Sequence, residues 1–108
     1  MTVSELKDKL ALKVAALPYP EREISGVYIG DLLSWVMGRA NCGDAWITIM
    51  SNKNIAAVAT LADTACVILA EGVEPDEGVG ALAEEKGINI LLSDAGAYDT
   101  AVAMSKLL

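Results

Sequence analysis

The sequence predicts a single α/β domain with a mostly parallel sheet of about four strands and helices on both faces. Three observations lead to this prediction. Segments with helical periodicity alternate with short apolar segments rich in β-branched residues along the whole chain. The turns between them are short and carry Gly, Asn, Asp or Pro. No linker, low-complexity tract or internal repeat divides the chain, so residues 1–108 are predicted to form one domain.

The first helix is predicted to begin after Thr2 and to end before Pro18. Thr2 and Glu5 have the spacing of a capping box, and an apolar stripe follows at helical spacing. The stripe consists of Val3, Leu6, Leu10, Val14 and Leu17. Pro18 and Pro20 then favour an extended connector, because proline disfavours helix at its own position and at the preceding one.

A strand is predicted over Ile24 to Ile29, and Asp31 is the expected N-cap of a helix over residues 32–40. That helix is apolar on nearly all sides, because Ser34 is the only polar residue among its first six. A helix of this kind is normally covered on nearly all sides. We therefore expect a second copy of the chain to cover it and form a homodimer. The candidate interface residues are Leu32, Leu33, Trp35, Val36 and Met37.

Alternating strands and helices are also predicted for the rest of the chain. Strands are expected where apolar and β-branched residues dominate, over residues 45–50, 66–70 and 88–92. Helices are expected to begin near Asn54, at Pro75 and near Gly96. Pro75 is a suitable start because proline is favoured at the first position of a helix. Gly87 is the predicted C-cap of the helix that starts at Pro75.

The composition limits the functions open to the chain. Its net charge of −7 argues against binding to nucleic acid or to an anionic membrane surface. Histidine is absent, which removes the most common general base and metal ligand near neutral pH. No apolar run is long enough to span a bilayer and no signal peptide is recognisable, so a cytoplasmic location is expected. Cys42 and Cys66 are too few for a disulfide framework and are expected to be reduced.

No motif of catalysis or metal binding stands out. Gly78–Ala83 matches a dinucleotide-binding string, but it lies inside a predicted helix and is interpreted as small residues that permit close packing. The acidic residues of segment 71–77 lack the spacing of a calcium loop and are interpreted as a solvated turn. Asp44 and Asp94 are assigned ordinary turn and capping roles. We therefore expect no catalytic residue, no metal and no cofactor.

A ligand site, if present, is predicted at the carboxyl ends of the strands, where open α/β sheets bind ligands. Ser51, Asn52, Lys53 and Asn54 are the best candidates for binding a small anion, because short polar side chains and a lysine precede a helix N-terminus. The alternative is that Ser51 or Asn54 caps the helix and Lys53 is solvated. The further candidates at this edge are Glu71, Gly72, Ser93 and Asp94.

A series of short segments in fixed order resembles the DRTGG domain family, which is similar to the N-terminal domain of HPr kinase. The segments cover residues 26–31, 43–49, 51–54, 66–70 and 71–75. The resemblance is clearest from Ile24 to Leu92 and extends loosely over the whole chain. Two departures are visible. Asn52-Lys53-Asn54 stands where the family typically has Asp-Arg and a small polar residue, and Glu71-Gly72 stands in place of a Gly-Gly pair.

The resemblance implies a non-catalytic accessory module. Such domains are attached to phosphotransacetylases, to pyrophosphatases with CBS pairs and to ATP-dependent synthetase-like proteins, and they also occur alone. The first hypothesis is therefore a homodimeric regulatory or interaction module that is accessory to a metabolic enzyme. The alternative is a sensor that binds a nucleotide or a phosphorylated metabolite at the carboxyl edge. A small enzyme that uses Asp44, Asp94 or Lys53 ranks last.

Overall fold

Five helices and five strands make up the computed structural model, which describes all residues from Met1 to Leu108. In chain order they are α1 (Val3–Lys9), β1 (Lys13–Ala16), β2 (Gly26–Ile29), α2 (Leu33–Arg39), β3 (Asp44–Thr48), α3 (Asn54–Ala62), β4 (Cys66–Leu69), α4 (Val79–Lys86), β5 (Ile90–Leu92) and α5 (Ala97–Ser105).

The strands form one sheet in the order β1-β5-β4-β3-β2. Strands β2 to β5 are all parallel, with Trp46 of β3 level with Tyr28 of β2 and Val67 of β4. Strand β1 pairs antiparallel with β5. The expected α/β class and mostly parallel sheet are therefore confirmed, and the sheet has one strand more than predicted.

The additional strand corrects the prediction for the first helix. The capping box is present, since the Glu5 amide donates to Thr2 Oγ1 at 3.1 Å and the Thr2 amide donates to Glu5 Oε1 at 3.0 Å. However, α1 ends at Lys9, and Ala11 adopts a left-handed backbone with φ of 52°. The residues before Pro18 form β1 instead, because strand pairing satisfies the outer backbone groups of β5.

Two predicted helix starts are also wrong. Asp31 does not cap α2, whose N-cap is Leu32, because its carboxylate accepts hydrogen bonds from Thr48 Oγ1 at 2.8 Å and from the Ile49 amide at 3.0 Å. Helix α4 begins after Gly78 rather than at Pro75, since Gly78 has φ of 85° and ends the preceding turn. The predicted C-cap at Gly87 is confirmed by a φ of 77°.

Gly80 confirms a packing role for the glycine-rich string. A Cβ at this position would lie 3.1 Å from the backbone oxygen of Ala15, so α4 approaches β1 closely here. Gly78 precedes α4, and the rest of the string lies within this helix, which packs on the sheet. The string is therefore not a strand-to-helix turn of the kind that holds a dinucleotide.

A hydrophobic core lies on each face of the sheet. Helices α2, α3 and α4 cover one face around Trp46, whose indole is fully buried and donates to the Gly30 carbonyl at 2.8 Å. Helices α1 and α5 cover the other face, where Leu6 and Met104 are fully buried against Ile47 and Ile68. Helices on both faces are thus confirmed. None of the helices has the length and apolar character that crossing a membrane requires.

Candidate functional site

The carboxyl ends of the four parallel strands lie along one edge of the sheet, here called the carboxyl edge. Backbone hydrogen bonds join the loops at this edge. The Glu71 amide donates to the Ala95 carbonyl at 2.8 Å, and the Gly72 amide donates to the Ser93 carbonyl at 3.0 Å. The structure therefore brings Glu71 and Gly72 next to Ser93 and Asp94, as the order of strands requires.

The loop over residues 51–54 is held by its own side chains. Ser51 Oγ donates to Asp76 Oδ1 at 2.8 Å, and the Asp76 amide donates back to the Ser51 carbonyl at 2.9 Å. Asn52 Oδ1 accepts from the Asn54 amide at 2.9 Å and so occupies a donor at the start of α3. Lys53 is exposed and forms no ion pair.

Glu71 accepts a hydrogen bond at the start of α5, as Asn52 does at the start of α3. Its backbone is left-handed, with φ of 64°, and Gly72 follows with φ of 70°. This turn directs the Glu71 carboxylate to the Ala97 amide at 3.2 Å, where a bound anion would otherwise accept that hydrogen bond. The negative charge favoured by the helix dipole is therefore supplied by the chain itself.

Ser93 and Asp94 differ in accessibility. Ser93 is buried, and its hydroxyl lies 2.9 Å from Thr100 Oγ1 and accepts from the Ala95 amide at 3.3 Å. Asp94 is exposed and pairs with Lys13 at 3.6 Å. Asp44 lies at the opposite end of the sheet, where it accepts from the Asn41 amide at 2.8 Å, so the two aspartates cannot act together.

The carboxyl edge is acidic. Asp31, Glu71, Asp76 and Asp94 face only the cations of Lys13 and Lys53 along this edge. Like charges repel a phosphate group, so the edge is poorly suited to polyanions. No three of its acidic or thiol groups are placed to hold a metal ion.

A thiol that is hydrogen-bonded to an ion pair lies at the other end of the sheet and was not predicted from the sequence. Arg22 Nη1 lies 3.1 Å from Asp63 Oδ1, and Cys42 Sγ donates to Asp63 Oδ2 at 3.0 Å. The hydrogen bond to Asp63 raises the pKa of the Cys42 thiol, while the bonds from Cys42 and Arg22 lower the pKa of Asp63. The arrangement favours an unreactive thiol over a thiolate nucleophile.

The second cysteine is buried in β4. Burial raises the pKa of the Cys66 thiol to about 12, because an apolar environment disfavours the thiolate. Neither Cys42 nor Cys66 forms a disulfide. Cys66 therefore serves as a small apolar residue of the core.

The outer side of α2 carries a group of exposed apolar side chains, here called the α2 surface and formed by Leu32, Trp35 and Met37. Their exposed fractions are 58%, 52% and 46%. The Arg39 guanidinium lies over the Trp35 ring at 3.7 Å from its centroid. Val36 is fully buried, and Leu33 packs partly against the core. Val36 therefore drops out of the candidate interface.

A groove runs between α3 and α4, here called the α3–α4 groove, with a volume of about 470 Å³. It is lined by Lys53, Asn54, Ala56, Ala57, Thr60, Leu61, Leu82 and Lys86. Lys53 and Asn54 were predicted ligand-binding residues, but the groove itself was not predicted from the sequence. The small residues at positions 56 and 57 were the only signal, because two alanines on one helix leave room beside a neighbouring helix.

Comparison with models of protein families establishes the family of the chain. The model of the DRTGG domain matches residues 21–107, which is most of the chain. The chain belongs to the DRTGG domain family. The predicted resemblance is thus confirmed, and α1 and β1 lie in the part that precedes the match. Comparison with curated protein sequences gives no match.

A solved structure has a similar fold to this DRTGG domain. It comprises the CBS and DRTGG domains of the regulatory region of Clostridium perfringens pyrophosphatase, in complex with the activator diadenosine tetraphosphate. The TM-score is 0.72 at 14% sequence identity. The alignment covers 95% of this chain but only 45% of the other, so this DRTGG domain corresponds to less than half of that regulatory region.

Proposed function

We propose that this DRTGG domain is a non-catalytic regulatory module that acts as a homodimer and is accessory to a metabolic enzyme. The observation that carries the proposal is the α2 surface, where Leu32, Trp35 and Met37 of one short segment are about half exposed together. Support for a regulatory role comes from the family and from the fold shared with a pyrophosphatase regulatory region.

The geometry of the α2 surface suits self-association. Trp and Arg are the residues most often found at the centre of protein interfaces, and here Arg39 already orders the Trp35 ring. The adjacent strand β2 is an edge strand, so its outer backbone groups have no strand partner. Val27 and Ile29 of that strand are also exposed. A two-fold contact would bury this strand edge together with the α2 surface.

The carboxyl edge offers little to a reaction. Its polar side chains hold the loops together, as in the bonds from Ser51 to Asp76 and from Glu71 to the start of α5. The same bonds and the acidic charge argue against the alternative of a nucleotide sensor at this edge. The proposal therefore assigns the polar residues of the edge to the fold, and assigns the α2 surface to function.

Sedimentation velocity at micromolar concentration tests the homodimer. We expect a dimer for the wild-type chain and a monomer for Trp35→Ser. The dissociation constant of the dimer should rise about thirtyfold or more, because a central interface tryptophan contributes about 2 kcal/mol or more. Tyr98→Ser is the matched control, since Tyr98 is 79% exposed on α5, on the opposite face of the sheet. A wild-type chain that stays monomeric would refute the homodimer.

The regulatory role is tested by addition of the wild-type domain to the enzymes encoded by the genes adjacent to its own. The rate or the substrate affinity of one of these enzymes should change. Trp35→Ser should lose the effect if the dimer is the active form, while Tyr98→Ser should keep it. An equal effect of the wild type and both variants would show that regulation does not require the dimer.

A further inference from the structure

We propose that the α3–α4 groove binds an elongated amphiphilic molecule that has an apolar middle and an anionic group at each end. The inference does not depend on the homodimer, because the groove lies between α3 and α4 and the α2 surface contributes none of its lining. The groove shares Lys53 and Asn54 with the carboxyl edge, but it extends from there along α3 and α4 and has a largely apolar lining.

The shape and lining of the groove define the middle of the ligand. A volume of about 470 Å³ is in the range of small-molecule sites. Leu61 and Leu82 form apolar walls, and Leu61 is 73% exposed without a covering partner in the chain. Thr60 carries the one hydroxyl of the lining, and this hydroxyl already donates to the Ala56 carbonyl at 2.8 Å. The centre of the groove therefore favours apolar groups.

The two lysines define the ends of the ligand. Lys53 immediately precedes α3, and Lys86 is the last residue of α4. Both helices follow parallel strands and run in the same direction, so the two ammonium groups lie at opposite ends of the groove. The nine residues of α3 span about 13 Å. The ligand should therefore have its anionic groups about this distance apart.

Charge complementarity supports an anionic ligand. Neither Lys53 nor Lys86 takes part in the ion pairs of the chain, which involve Lys7, Lys13, Arg22 and the N-terminus. Two unpaired cations that flank an apolar groove are notable in a protein with a net charge of −7. An acidic ligand satisfies both of them, and it leaves the rest of the surface negative.

The lining also favours a saturated chain over a nucleotide in this groove. None of the eight lining residues is aromatic, so no ring is present to stack against a base. A flexible saturated chain packs against alanine and leucine side chains without such a platform. A long-chain dicarboxylate is the simplest molecule with the required apolar middle and charged ends.

Titration of dodecanedioate into the ¹⁵N-labelled wild-type chain tests the proposal. Saturable amide shifts are expected at residues 53–61 and 82–86. Dodecanoate, which lacks one carboxylate, should bind about two- to fivefold more weakly, as expected for the loss of one exposed ion pair. Lys53→Gln and Lys86→Gln should each weaken dodecanedioate binding by a similar factor, while Lys106→Gln, at the exposed C-cap of α5, should leave it unchanged.

Ala57→Glu provides an independent variant, because Ala57 is exposed in the groove and a carboxylate there would repel the ligand and fill its space. Binding should fall by about tenfold or more. The titration is repeated on Trp35→Ser, where binding should be unchanged even if the dimer is lost. Absence of saturable binding, or shifts that depend on protein concentration and indicate a second copy in the groove, would overturn the proposal and leave the homodimer untouched.

Discussion

Trp46 and Trp35 lie in two regions that the sequence describes in nearly the same way. Each is surrounded by aliphatic neighbours, in the segments 45–50 and 32–37. Trp46 is fully buried at the centre of the sheet, with its indole N–H bonded to the Gly30 carbonyl. Trp35 is half exposed at the end of the same layer, with Arg39 over its ring.

The difference comes from position in the topology rather than from composition. Strand β3 has β2 and β4 on its sides and helices on both faces, so every side chain along it is buried. Helix α2 lies over the β2 end of the sheet and packs against α3 on one side only. Apolar content stabilises the fold in the first region and is available for association in the second.

Trp46→Ala should have the largest effect on stability. Removal of a fully buried aromatic side chain leaves a cavity and an unpaired Gly30 carbonyl, at a cost of about 3–5 kcal/mol. Urea denaturation followed by circular dichroism measures the free energy of unfolding. A loss below about 1 kcal/mol would contradict the central place of Trp46 in the core.

Asp31→Ala should have an intermediate effect, because Asp31 joins the two regions. The change removes the acceptor of the buried Thr48 hydroxyl and of the Ile49 amide, at a cost of about 1–2 kcal/mol. Asp31→Asn is the control, since its amide oxygen can still accept these bonds. This variant should lose less than half of the free energy of unfolding that Asp31→Ala loses. Equal losses in the two variants would point to the charge rather than to the hydrogen bonds.

Trp35→Ser should change the stability of the monomer by less than about 1 kcal/mol, because the side chain is half exposed and the two residues have similar helix propensity. The measurement is chemical denaturation at a concentration low enough to keep the wild-type chain monomeric. A loss of unfolding free energy as large as that of Trp46→Ala would show that Trp35 contributes to the fold as much as Trp46 does, and would contradict the difference between the two regions.

The smallest effect is expected at the ion pair of Asp63 with Arg22. The pKa of Asp63 is held below its ordinary value of 3.8 by the bonds from Cys42 and Arg22, so its contribution to stability is present above pH 3.8 and is lost as the pH falls below it. The side chain is 60% exposed, which limits the contribution to a few tenths of a kcal/mol.

Asp63→Asn tests this contribution. Asp63 has a left-handed backbone at the C-cap of α3, and asparagine tolerates that conformation. The difference in unfolding free energy between wild type and variant should close as the pH is lowered from 7 to 3. A difference that widens at low pH would contradict the direction of the pKa shift.

The parallel part of the fold was predictable from local patterns. The apolar runs of β3 and β4 and the C-cap at Gly87 are all encoded within a few neighbouring residues. The first helix was overextended because Val14 and Leu17 suit a helical stripe and a strand equally. Strand β1 forms because it pairs with β5, where Leu91, distant in the sequence, lies opposite Val14.

The candidate site was predicted only in part. The loops at the carboxyl edge come together as expected, because this follows from strand order alone. Two hydrogen bonds at this edge were not predicted, namely the one that Glu71 accepts at the start of α5 and the one that Ser51 donates to Asp76. Both depend on turn conformations that local sequence patterns do not reveal. The pairing of Cys42 with Asp63 joins residues on separate elements, so no local pattern marks it.

The two margins of the sheet differ in a way that affects how copies of the chain assemble. Strand β1 carries the exposed Lys13 and an irregularity between Val14 and Ala16, and both features discourage the addition of another strand. Strand β2 has neither a bulge nor a charged side chain. If two copies pair through the β2 margin, as in the proposed homodimer, the contact closes after two copies and does not extend into an open-ended filament.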